Sequence, residues 1–204
     1  MNRLRLFSVA ALLLALVVAC GCTPKKTVKV DPMQDSVTMG LDYQDFAGAA
    51  DAMINDMLAS GAVDRPGGGR YVLAISRVTN DTMQRIDTDQ LTKKIRVALL
   101  RSGKVVTTTA IGLGGPEDPM AAEVRKLRKS KEVNQGTVAR KGQIVAPDLS
   151  LSGKIIQRNY RVDSETQQVD YYFMLSLTDV NTGLAIWESE KPISKQGTSR
   201  SVSW

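Results

Sequence analysis

The chain has 204 residues, 43% hydrophobic and 24% charged, with 27 Lys and Arg against 21 Asp and Glu. That is the balance of one ordinary globular domain, not of a disordered or repetitive chain. There is no histidine, which excludes imidazole bases and imidazole metal sites, and the two cysteines, Cys20 and Cys22, precede the part that can fold, leaving it without disulfide or thiol chemistry.

Arg3 and Arg5 precede an apolar run from Phe7 to Ala19. At 13 residues that run is shorter than the ~20 a stable membrane span needs, and it reads as a secretory signal peptide over residues 1–19. Val17-Val18-Ala19-Cys20 resembles the bacterial lipobox, so Cys20 is expected to carry the lipid, palmitate included, and to become the mature N-terminus. Cys22 fits that pattern less well. Gly21 follows where an aspartate would resemble an inner-membrane retention signal, which by analogy points to the outer membrane with the domain facing the periplasm. Residues 20–40 have no apolar period and read as a flexible tether.

Order is expected over residues 41–192. Asp42 with Asp45 forms a capping box, Leu41 and Phe46 occupy the staple positions, and Phe46, Ala50, Met53, Ile54 and Met57 make an apolar stripe. The methionines read as core filling, and the aspartates are too scattered for a calcium loop. Tyr71–Ile75 is an unbroken apolar run, expected to be a strand buried on both faces with helices above and below. Asp87 and Gln90 predict a second capping box, Ile86 and Leu91 a second staple, and Gly103 the helix stop. Lys104–Thr108 is a short strand, and residues 117–135 read as a helix or partly ordered insert after Gly112-Leu113-Gly114-Gly115-Pro116.

That insert concentrates the positive charge. Residues 123–141 hold seven basic and two acidic side chains, net +5, while the mature chain carries +4 once Arg3 and Arg5 are removed. Everything else sums to −1, so basicity is a local property. No aromatic residues interleave with the charges, which argues against nucleic acid. The plain reading of the segment is a solvated helix face; attraction to an acidic partner surface, anionic lipid or cell-wall polymer is the alternative. Further on, Leu149, Leu151, Gly153 and Ile155 alternate, Asn159–Gln168 reads as a turn, and Tyr171, Phe173, Leu175 and Leu177 alternate on a long strand. Asn181-Thr182-Gly183 is a hairpin loop leading to Leu184–Glu188, and residues 193–204 read as a loose tail. The fold class is α/β, a mixed sheet flanked by helices.

No catalytic constellation is present. Ser102-Gly103-Lys104 and Ser152-Gly153-Lys154 look like the end of a phosphate-binding loop, but neither has the upstream glycine or opens a helix. No cofactor is expected. Binding residues collect on loops at strand ends, which singles out Arg77, Asn80, Asp81, Thr82 and Met83 as a contact surface, while Asn80 and Asp81 equally suit a plain turn and its cap. The basic segment, with Arg125, Lys126 and Lys129, is a second candidate.

Several pieces in order carry a resemblance: Leu41-Asp42 opening a helix; Ile75–Thr82; Ile86-Asp87-Thr88; Ala146-Pro147-Asp148 leading to Leu151-Ser152-Gly153-Lys154-Ile155; Tyr171–Asp179; and Thr182-Gly183-Leu184-Ala185-Ile186-Trp187. Together they resemble the LpoB family, bacterial outer-membrane lipoproteins that activate penicillin-binding proteins. The resemblance implies a fold like the N-terminal domain of TolB. It also implies non-catalytic action by docking on a class A penicillin-binding protein, a peptidoglycan synthase, with peptidoglycan nearby. The fold is also similar to the periplasmic domain of curli-secretion lipoproteins, and a structural or assembly role in the envelope is the alternative. The best-known family members carry a long Pro-rich tether. Here Cys20 to Asp42 is 22 residues, at most ~75 Å when extended.

Overall fold

The computed structural model describes residues 39–111 and 118–198; the signal segment, Cys20, the tether before Met39 and the last six residues lie outside this range. Helix α1 (Tyr43–Ala59) starts at the first capping box. The Asp45 N–H donates to the Asp42 carboxylate at 3.1 Å, and the Asp42 N–H donates to that of Asp45 at 2.9 Å. Two backbone donors that a helix start leaves orphaned are thereby satisfied. Leu41 is buried, Phe46 packs on the core, and Ala50, Met53, Ile54 and Met57 are buried along the stripe. The methionines do fill core.

Strand β1 (Tyr71–Asp81) leads to α2 (Thr88–Ser102). The cap of α2 rests on Asp87 alone, whose carboxylate accepts from the Asp89 and Gln90 N–H groups at 3.0 and 3.2 Å. Gly103 ends the helix at φ 73°, a left-handed conformation that glycine adopts without a Cβ penalty. The chain then forms β2 (Val105–Thr107). The insert is less helical than its sequence suggests: α3 covers only Pro119–Lys126, capped by Asp118, and a 3-10 turn follows at Leu127–Lys129.

Three long strands complete the sheet: β3 (Leu149–Arg161), β4 (Thr166–Asp179) and β5 (Ala185–Thr198). The order is β2-β1-β3-β4-β5, with β1 parallel to both β2 and β3, and β3, β4 and β5 antiparallel. Asp148, after Pro147, fixes where the insert rejoins the sheet: it exchanges backbone and side-chain hydrogen bonds with Val72, at 2.7 and 2.8 Å.

Both long helices pack on one face. There α1 and α2 meet Leu73, Ile75, Val78, Val105, Leu149, Leu151, Ile155, Val169, Tyr171, Phe173, Leu175, Leu177 and Trp187 in a single core. Phe46 meets Phe173 edge to face, centroids 5.6 Å apart. Among the described residues every buried apolar one lies between Leu41 and Trp187, and a chain beginning at Thr23 retains all of them.

Three further expectations are corrected. β1 is not buried on both faces: Leu73 and Ile75 are buried, whereas Val72 and Ala74 are only half-buried on the side that carries neither α1 nor α2. Their small apolar side chains imitate a two-sided strand. Residues 159–168 are not one long turn, because β3 runs to Arg161 and β4 begins at Thr166. The hairpin is short, and Asp163 accepts from the Glu165 and Thr166 N–H groups at 2.8 and 2.7 Å. The tail expected to be loose after Pro192 continues as strand, paired with β4 out to Thr198 opposite Thr166. In both places polar sequence that resembles loop is held extended by the ladder.

Candidate functional site

The end of β1 is built as a cross-tied corner. Between Ile75 and Val78 the pairing with β3 slips by one residue, a bulge that keeps Val78 inward and leaves Arg77 exposed. Beyond it, Asn80 organises the turn. Its Nδ2 donates to the Gln84 carbonyl at 2.9 Å, and its Oδ1 accepts from the Thr82 N–H at 3.2 Å. The Thr82 hydroxyl lies 2.7 Å from Asn80 Oδ1 and accepts from the Gln84 N–H at 3.2 Å. Gln84 in turn holds the start of α1: its amide accepts from the Leu41 N–H at 2.8 Å and donates to the Leu41 carbonyl at 2.9 Å.

Met83 stands at the tip, 66% exposed. Its N–H donates to Gln157 Oε1 at 3.0 Å, and its sulfur lies 3.6 Å from Asn159 Nδ2. Asp81 pairs with Lys154 at 2.6 Å. The hydrogen bond from that ammonium, with its charge, holds the Asp81 carboxyl below the ordinary 3.8. Asp81, Thr82, Met83, Gln157, Arg158 and Asn159 line a hollow of about 350 Å³. An exposed thioether on a tied turn, ringed by amides and one guanidinium, suits recognition of a protein surface, where an apolar anchor sits inside a polar rim.

The structure brings Asn80, Asp81, Thr82 and Met83 together, with Arg77 upstream on the same strand. Arg125, Lys126 and Lys129 belong to α3 and the 3-10 turn, which pack chiefly on each other, and they form a separate feature. Gln157, Arg158 and Asn159 were missed by the sequence reading. They join the corner only through the β1–β3 register, in a stretch whose polarity resembles loop. Among the described residues no group of acidic side chains could hold a metal ion.

The family model of the peptidoglycan-synthase activator LpoB matches residues 45–193. Among solved structures, the LpoB C-terminal domain from Escherichia coli is similar at 18% identity and a TM-score of 0.44, covering 74% of this chain and 99% of that one. Its counterpart from Salmonella enterica gives 20% identity and a TM-score of 0.43, over 73% of this chain and 98% of that one. The solution structure of E. coli LpoB gives 18% identity and a TM-score of 0.40, over 86% of this chain and 83% of that one. No curated protein matches. With the family model matching well over half of the chain, from the first turn of α1 to all but the last residues of the sheet, the chain belongs to the LpoB family of peptidoglycan-synthase activators.

Proposed function

We propose that this protein is a non-catalytic outer-membrane lipoprotein that binds and stimulates a class A penicillin-binding protein. The observation that carries this reading is the family match over residues 45–193. In this reading residues 1–19 direct export, Cys20 holds the lipid, residues 20–40 are the tether, and the domain faces the periplasm. The exposed corner at Met83 is the contact, with Arg77, Asn80, Asp81 and Thr82 around it. Activation is a population shift: the domain binds the working conformation of the synthase more tightly than the resting one. Each ~1.4 kcal/mol of preference changes their ratio about tenfold.

The test immobilises residues 23–204 against a detergent extract of the native membrane and identifies captured proteins by mass spectrometry. A glycan-polymerisation assay with and without the domain follows. Capture of a class A synthase and faster polymerisation are expected, with both lost in Met83→Asp combined with Arg77→Glu. Unchanged capture by that variant would move the contact elsewhere on the domain. Failure of the wild type to capture or stimulate any synthase would refute the activator reading.

A further inference from the structure

The segment from Asp118 to Ala146 is ordered without a core of its own. It contains no buried residue. Polar bonds fold it: the Arg128 guanidinium donates to the Ala139 carbonyl at 2.7 Å and to that of Arg140 at 2.9 Å. The Gln135 amide donates to the carbonyls of Ser130 and Leu127 at 2.6 and 3.1 Å. Its apolar side chains consequently stay outside. Met120 (64% exposed), Val124 (36%) and Leu127 (37%) recur at i, i+4 and i+7, a single stripe along α3 and its 3-10 extension.

Around that stripe lies the molecule's positive charge. Arg125, Lys126 and Lys129 occupy the other sides of the same turns, and Lys131 follows. The Arg128 bonds bring the loop bearing Arg140 and Lys141 back beside them. The acidic groups here are Asp118, which caps α3, Glu123, which pairs with Lys126, and Glu132. Residues 123–141 remain at net +5. A solvated helix does not need an apolar stripe, and a core helix would bury it. An exposed apolar stripe flanked by lysine and arginine is the pattern of a helix lying in the headgroup region of a bilayer. Lysine and arginine bind anionic headgroups there, and their stems lie along the acyl boundary.

We propose that α3 and the following 3-10 turn form an interfacial docking element for an anionic phospholipid surface, with Met120, Val124 and Leu127 inserted and the surrounding lysines and arginines on the headgroups. Among the described residues no helix is long and apolar enough to cross a membrane, so this contact lies on the bilayer and not through it. It is independent of the synthase reading and would place the domain flat against a membrane.

The test is flotation of residues 23–204, which keep the whole core, with vesicles of phosphatidylethanolamine and phosphatidylglycerol, compared with vesicles of phosphatidylcholine alone. Binding is expected only where phosphatidylglycerol is present, weakening as salt rises. Two variants should each lose roughly tenfold or more in partitioning with unchanged melting temperature: Val124→Asp with Leu127→Asp, and Lys126→Glu with Lys129→Glu and Lys131→Glu. A Val124→Trp reporter should shift its emission to the blue on anionic vesicles alone. No flotation with phosphatidylglycerol, equal flotation with phosphatidylcholine, or undiminished flotation of both variants would overturn the proposal. Binding of an acidic protein or cell-wall polymer in place of the vesicles would overturn it as well. No synthase is present in the assay, so its failure leaves the activator reading untouched, and the converse holds.

Discussion

The two faces of this sheet are made by the same strands and are opposites. On the covered face β4 presents Val169, Tyr171, Phe173, Leu175 and Leu177, all buried. On the open face Asp170 is buried, accepting from Gln168 Nε2 at 2.8 Å, and Tyr172, Met174, Ser176 and Thr178 are only half-buried. Opposite them on the open side β5 offers Pro192, Glu190 and Glu188, and the Ser176 hydroxyl meets the Glu188 carboxylate at 2.8 Å. A one-residue step decides whether a side chain holds the fold together or merely borders it. Stability is concentrated on one face and at its edges, which leaves the open face and the corner at Met83 outside the core.

Truncating neighbouring residues separates the two faces most strongly. Phe173→Ala should cost about 3–5 kcal/mol in urea unfolding, and Met174→Ala, one residue on, less than about 1 kcal/mol. Equal costs would mean that the open face is covered in solution. Next comes adding volume instead of removing it. A Cβ on Gly153 would stand 2.6 Å from Leu175 Cδ2 and 2.8 Å from the Met174 carbonyl oxygen, and backbone cannot step aside. Gly153→Val should cost about 2–3 kcal/mol, while Ser152→Val on the open face should stay within about 0.5 kcal/mol.

A smaller effect is expected at the edge of the covered face. The Lys195 ammonium has three acceptors: Asp42 and the Gly40 carbonyl, each at 2.9 Å, and Asp45 at 2.5 Å. Burial pushes the Asp42 carboxyl up, but the Lys195 hydrogen bond and charge, with the Asp45 N–H, outweigh it, and the result lies below 3.8. A depressed carboxylate stabilises the fold fully above its unfolded value and loses that contribution as pH falls through the folded one. Melting temperature should therefore drop as pH is lowered from about 5 towards 3. Lys195→Met should cost about 1–2 kcal/mol at neutral pH and flatten that drop. A slope unchanged in the variant would assign the acid sensitivity to other carboxylates. The smallest expected effect is Asp87→Ala, about 1 kcal/mol by thermal melting, since one side chain caps α2.

What the sequence revealed followed the range of the interactions. Asp42 with Asp45, Asp87 and Gly103 were legible because a cap is written within four residues. The alternation of Tyr171, Phe173, Leu175 and Leu177 marked the covered face of β4 for the same reason. What failed was non-local. Val72 and Ala74 carry no sign of which face the helices take. Arg158–Arg161 and Gln167–Asp170 are strand because each finds the other, and Lys195 is structural only because α1 begins beside it. The corner was half-legible on these terms. Asn80 and Asp81 announce a turn locally, whereas Gln157 and Asn159 reach Met83 through register.

The place where the chain enters the domain has a mechanical meaning. The Met39 carbonyl accepts from the Tyr171 hydroxyl at 3.4 Å, that of Gly40 from Lys195, and Leu41 is gripped at both its N–H and its carbonyl by Gln84. Tyr171 belongs to β4, Lys195 to β5, and Gln84 to the turn after β1. Tension arriving from the N-terminal side is thus divided among three separate parts of the sheet layer before it reaches α1. Helices unravel most readily when pulled from a frayed end, and this one is fastened ahead of its first turn. A domain pulled through its N-terminus would yield by shearing these fastenings together instead of unzipping α1 turn by turn.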